Sequence, residues 1–227
     1  MYLSLVIPEV AMDSAQKLVS ELKALKPMLA KDEASQERFS FEANHFFRLA
    51  LHHRGFPSTK LKDCVNMFKK IFMAGLSWDP MARQVSLLDS QEGGMQPFVH
   101  YQGQIKLAST KGVIERVTAD LIYESDEFEF IGATEMPTLR RKLRKEGMGE
   151  AIGGYTISYL QSGGIHAELF DIEALQKAEE AGAMNGNGAF WNGPHRREMQ
   201  RKALINATAN RWLELSYTMK SINQTLT

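Results

Sequence analysis

Two aromatic rings and four cations crowd the segment "GAFWNGPHRREMQRK": Phe190, Trp191, Arg196, Arg197, Arg201 and Lys202. Arg197 and Arg201 fall one helical turn apart at what reads as a helix start, and Lys202 is offset by about a quarter-turn. Free backbone N–H groups make such a start attractive to anions, so cations there oppose the helix dipole unless an anion compensates them. A phosphate backbone passing the helix supplies that anion, and Trp191 offers a face on which a base stacks. The same residues also suit a cationic start neutralised by Glu198, with Trp191 buried. A second basic and aromatic set, Tyr101, Gln104, Lys106 and Lys111, lies in "YQGQIKLASTKG". Its residues equally fit an amphipathic helix that turns Ile105 and Leu107 inward.

Other chemistries find less material. "GMGEAIGG" and "NGNG" are glycine-rich, yet no Lys-Ser or Lys-Thr follows either one, so a P-loop for ATP is absent. The six histidines lack the spacing of a zinc hydrolase, and no GxSxG nucleophile is present. Cys64 sits on an apolar stretch without an evident base. Asp120, Glu124 and Asp126 are the carboxylates that a metal-dependent DNA nuclease would use, and that activity is the alternative reading. A restriction-like nuclease also needs a lysine on the neighbouring strand, and none is evident. The expectation is a binding protein without bond-making chemistry and without a cofactor.

The chain of 227 residues carries no net charge, which argues against polyanion binding by the whole surface, but its charge is unevenly placed. Asp120, Glu124, Asp126, Glu127, Glu129 and Glu135 follow one another with no cation among them. Directly afterwards come Arg140, Arg141, Lys142, Arg144 and Lys145. A contact between this acidic strand and this basic loop in neighbouring subunits would reconcile neutrality with DNA coating. The single cysteine excludes an internal disulfide and fits a reducing cytoplasm. No apolar run approaches the roughly 20 residues that span a bilayer, and "MYLSLVIP" reads as folded chain rather than a secretory signal.

The elements that must position these residues are legible from periodicity. Leu18, Leu22 and Leu25 mark a first helix behind Asp13 and Ser14 as caps, with Pro27 ending or kinking it. A second helix spans about Glu33 to His53 and stops at Gly55. A third, capped by Ser58 or Thr59, faces inward through Leu61, Val65, Phe68 and Phe72 and ends at Gly75. "RQVSLLDS" and "MQPFVHY" make a hairpin, "YQGQIKLAST" a short helix closed by Gly112, and "VIERVTADLIYES" and "EFEFIG" two further strands. "YTISYLQSGGIHAELF" is the clearest hairpin, turning at Ser162, Gly163 and Gly164. Asp171 caps a helix that ends at Gly182, and one long helix runs from about Pro194 to the C-terminus. The fold class is therefore α+β, with a mostly antiparallel sheet flanked by helices. A helical region at 1–57 packs on a core at 58–227 within a single domain.

Three stretches in order, "YQGQIKLASTKG", "YESDEFEF" and "GAFWNGPHRREMQRKALINA", resemble the signature segments of the RecT/Redβ family of phage single-strand annealing proteins. "MFKKIFMAGLSWDPMARQVSLL" is similar to the family's upstream helix and first hairpin. The resemblance implies an ATP-independent protein that coats single-stranded DNA, assembles as a ring or helical filament, and pairs complementary strands in homologous recombination. By matching position it makes Tyr101, Gln104, Lys106, Lys111, Trp191, Arg197, Arg201 and Lys202 the residues of a DNA groove, with Met199 and Ile205 in the core. The chain departs from the pattern at Ala203 and Asn206, where Arg196 or Arg211 replaces a phosphate contact, and in its basic loop, which adds Arg140 and Arg141 to the DNA-binding set. The implied partners are single-stranded and annealed DNA, further copies of the chain, and a phage exonuclease or host single-strand binding protein. The C-terminal region through which relatives engage such proteins is short here. The implied location is the cytoplasm of a bacterial host, on DNA.

Overall fold

The computed structural model describes residues 9–91, 93–142, 147–184 and 188–215. They form two compact units divided between Leu107 and Ala108. The expectations for "MYLSLVIP", for Arg144 and Lys145, for most of "NGNG" and for the last part of the C-terminal helix fall outside the described residues.

The N-terminal unit is built on three helices, α1 (Glu9–Leu29), α2 (Glu33–His52) and α3 (Leu61–Met73), followed by the hairpin β1 (Val85–Asp89) and β2 (Met95–Val99) and the start of α4 (Tyr101–Thr110). Leu18, Leu22 and Leu25 are buried as their spacing predicts. Asp13, expected as a cap, lies inside α1 and pairs with Lys17 at 2.6 Å, and Pro27 is tolerated in the last turn without ending the helix before Leu29. Asp32 and Ser35 form a reciprocal capping box at the start of α2. Aromatic rings fill the centre, Phe39 meeting Phe68 edge-on at 5.0 Å and Phe46 lying 4.8 Å from Trp78.

Three sequence expectations fail here for tertiary reasons. Thr59 does not cap α3, because its hydroxyl donates to Gly55 O and accepts from Met95 N; Lys60 occupies the cap position without a side-chain bond. Gly55 is not left-handed, with φ −80°; it is glycine because a Cβ would run into the backbone oxygen of Gly94. The buried face of α3 is Cys64, Met67, Phe68, Ile71 and Phe72, rotated from the expected one, so Leu61 and Val65 lie at its margin.

The second unit centres on a three-stranded antiparallel sheet in the order β3 (Ile114–Tyr123), β6 (Ala151–Leu160), β7 (Ile165–Asp171). Gly163 and Gly164 both adopt positive φ at the β6–β7 turn, as the hairpin reading requires. A small second hairpin joins β4 (Glu127–Glu129) to β5 (Thr138–Arg140). The helices α5 (Ile172–Gly182), α6 (Gly188–Trp191) and α7 (Arg196–Leu215) complete the unit, and Asp171 caps α5 by accepting from Ala174 N at 2.8 Å.

The fit of α7 on β6 is regular. Leu204 covers Gly154, the Thr208 and Thr156 hydroxyls meet at 2.6 Å, and Trp212 Nε1 donates to Ser158 Oγ at 2.8 Å. Four helical residues rise about 6 Å and two strand residues about 6.7 Å, so every fourth position of the helix finds every second position of the strand. Small or hydroxylated residues are needed on that strand face: a Cβ at Gly154 would sit 2.5 Å from Leu204 Cδ1. Leu204 joins Leu121, Tyr123, Ala151 and Leu175 in the core of the unit.

Candidate nucleic-acid interface

β3 is an edge strand of its sheet, and an open edge leaves backbone N–H and C=O groups unpaired unless something blunts it. Two charged side chains do so at Leu121. Its N–H donates to Asp120 Oδ1 at 2.8 Å, and its C=O accepts from Arg141 Nη2 at 2.6 Å. The same Arg141 grips Asp126 through Nε and Nη2, at 3.0 and 2.8 Å, and reaches Asp120 Oδ2 through Nη1 at 3.2 Å. Asp126 in turn accepts from Tyr123 N at 3.0 Å, closing the turn between β3 and β4. The Asp126 side chain is 1% exposed. Its hydrogen bond with Arg141 holds the carboxyl below its usual range against the opposing effect of burial, and the same bond raises Arg141.

The helix α7 brings its first turns to this place. Arg201 Nη2 donates to Asp120 Oδ1 at 3.1 Å, and the Arg197 guanidinium lies 5.3 Å from the centre of the Tyr123 ring. Arg141 stands 5.0 Å from that ring, so two guanidinium groups flank one tyrosine. Arg141, Arg197 and Arg201, from separate parts of the sequence, therefore gather around Tyr123, Asp120 and Asp126, with one positive charge in excess. Arg197 is exposed and has no carboxylate within salt-bridge distance among the described residues, so it is the cation of this group most available to an anion.

The remaining expected residues are placed differently. Arg196 is held by Glu179 at 3.1 Å and Glu150 at 2.7 Å, and the bond to Glu179 raises its pKa. The anion compensating this cation at the helix start thus comes from α5 and the β6 approach, and not from Glu198. Trp191 is 4% exposed and packs on Gly182, where a Cβ would enter the indole. That contact, and not helix termination, accounts for the glycine, and it leaves the enclosed ring no open face for a base. The neighbouring Phe190 is 54% exposed. Lys202 is exposed on α7. Arg140 is exposed and lies opposite Glu127 in the β4–β5 hairpin, and Lys142 approaches Glu127 at 3.7 Å. The expected pairing of acidic strand and basic loop exists, but within one chain.

Lys111 is exposed beside the Gly112 turn, before the start of β3, whereas the arginines gather at its end. A ten-residue strand separates them by about 30 Å. Tyr101, Gln104 and Lys106 belong to the N-terminal unit. Lys106 is exposed, while Gln104 is turned inward with its Oε1 enclosed and unpaired among the described residues. Met199 and Ile205 are half-buried, the core position of α7 being Leu204.

Tyr123, Asp120 and Asp126 escaped sequence reasoning as parts of this site. The signal was present in "YESD", where an aspartate three residues after a strand end can close a turn on the backbone. No described helix is long and apolar enough to cross a membrane. No curated protein matches the chain at a significant level. The sequence pattern of the RecT family matches residues 56–225 and so includes α3, both larger hairpins, the arginine cluster and α7. The chain belongs to the RecT family, whose members are phage proteins that bind and anneal single-stranded DNA in recombination.

Proposed function

We propose that this protein holds single-stranded DNA by its phosphates and pairs it with a complementary strand without ATP, as an oligomeric ring or filament on DNA in the cytoplasm of a bacterial host. The observation that carries the reading is the meeting of Arg197 and Arg201 with Arg141 around Tyr123. Arg197, Arg201 and Lys202 make the phosphate contacts at the start of α7, and Phe190 replaces Trp191 as the aromatic with an open face. Lys111 and Arg140 extend the contact within the unit, and Tyr101 and Lys106 contribute from the N-terminal unit. Phosphate contacts position a strand without reading it, so sequence preference is low. No bond is made or broken; base pairing itself tests the second strand. A phage exonuclease or host single-strand binding protein is the accessory partner.

The nuclease alternative has no comparable support. Asp120 and Asp126 direct their oxygens to arginine and backbone N–H groups, an arrangement that neutralises the carboxylates a metal would need.

The test is electron microscopy and fluorescence with two complementary oligonucleotides added one after the other, in the absence of nucleotide. Ordered assemblies and faster pairing than with DNA alone are expected. If each subunit neutralises about four phosphates, log affinity falls by roughly three units per tenfold rise in salt. A flat salt response, or pairing no faster than without protein, overturns the reading.

A further inference from the structure

We propose that Asp120 is a positioning residue for DNA, a built-in stand-in for phosphate that holds Arg201 back from the strand and so sets how weakly the protein grips it. The inference rests on the annealing function above and concerns one ion pair inside it.

Asp120 and Arg201 are 81 residues apart in sequence, and the docking of α7 brings them to 3.1 Å. The carboxylate is fully engaged. Oδ1 accepts from Leu121 N and Arg201, and Oδ2 accepts from Arg141. Its two arginines depend on it unequally. Arg141 is independently fixed by both oxygens of Asp126 and by the Leu121 carbonyl. Arg201 has no other carboxylate partner among the described residues, and its side chain is 37% exposed. Removing the charge of Asp120 therefore leaves Arg141 in place and releases Arg201 alone.

Arg197, one turn earlier on the same helix, is exposed and unpaired by any carboxylate among the described residues. A released Arg201 joins it as a second phosphate ligand on one helix face. While Asp120 is charged, a phosphate must displace or share the Arg201 guanidinium, and it approaches a carboxylate in doing so. The pair contributes no net charge to the strand, and counterion release registers only cations that neutralise phosphate. For a protein that must hand its strand to a complementary partner, a restrained grip has a direct use: release competes with pairing, and a tighter hold slows the exchange.

The experiment measures binding of a labelled thymidine oligonucleotide by the full chain, wild type and Asp120→Asn, from 50 mM to 1 M sodium chloride. Asparagine keeps an oxygen for Leu121 N–H and removes the charge. The expected result is a salt response steeper by about 0.7 log units per decade, giving roughly eightfold tighter binding at 50 mM, about threefold at 0.2 M and convergence near 1 M. Glu124→Gln is the control, since Glu124 is exposed and forms no salt bridge among the described residues; its removal alters the field without releasing a cation. Asp120→Ser, which also keeps an acceptor, is read in the same way if Asp120→Asn melts early. An unchanged or weakened affinity in the Asp120 variants overturns the proposal, and so does an equal gain in Glu124→Gln. Wild-type protein that binds no single strand removes the annealing function and this role with it. Wild-type protein that binds normally, with Asp120→Asn unaltered, removes the role of Asp120 alone.

Discussion

Arg141 and Arg197 approach the same tyrosine from similar distances, yet removing each should produce opposite phenotypes. Arg197 is exposed and forms no ion pair among the described residues, so Arg197→Gln costs phosphate neutralisation and little else. One lost contact flattens the salt response by about 0.7 log units per decade and weakens binding about fivefold at 0.1 M salt, close to 1 kcal/mol. Stability should hold, because no buried partner loses a bond. Arg141→Gln reverses the pattern. It strands the Asp126 carboxylate, 1% exposed, with only the Tyr123 N–H for a partner. Breaking one side of a buried pair costs about 3 kcal/mol, which in a chain of this size lowers the melting midpoint by roughly 10 °C. Its salt slope should match wild type below that midpoint. The assay pairs thermal melts by circular dichroism with oligonucleotide titrations at several salt concentrations. An Arg141→Gln protein that melts normally and flattens the salt response as much as Arg197→Gln refutes the division between the structural and the DNA-facing guanidinium.

Three further outcomes follow from the same geometry. Because Arg141 holds the folded-state pKa of Asp126 below that of an unfolded aspartate, its stabilisation is complete above the ordinary carboxylate range near 4 and is lost as pH falls through the folded value; the stability gap between wild type and Asp126→Asn, followed by urea titration, should narrow as pH drops from 6 to 2. Thr208→Val strands the buried Thr156 hydroxyl and should cost about 1–3 kcal/mol, whereas Thr156→Val with Thr208→Val should recover most of that loss in melting experiments. Burial pushes the Cys64 thiol up to about 11, so iodoacetamide at pH 8 should leave the native protein unlabelled and react fully once urea unfolds it.

Local chemistry was readable where neighbours in sequence are neighbours in space. Asp171 caps α5, Gly163 and Gly164 turn the β6–β7 hairpin, and Gly75 and Gly112 adopt positive φ beside the helices they terminate. Long-range contacts were not readable. Gly55 and Gly182 look like helix terminators in the chain, but each is small because a distant atom occupies the place of its side chain. The arginine-rich segments announced a basic surface, yet charge alone does not say which cation is already paired. Arg141 and Arg196 are taken up by carboxylates 15 to 46 residues away, and only the fold distinguishes them from Arg197. Phe190 and Trp191 are adjacent and chemically alike; the position of Gly182 decides which of them is enclosed.

The meshing of Leu204, Thr208 and Trp212 with alternate residues of β6 behaves as a toothed rack. Sliding by less than a tooth strands two hydroxyls and an indole N–H at once, so displacement is allowed only in jumps of about 5.4 Å, a whole turn. The cationic end of the same rod cannot drift to follow an arriving nucleic acid. It stays indexed to the sheet, and adaptation falls to the more compliant polymer, the DNA.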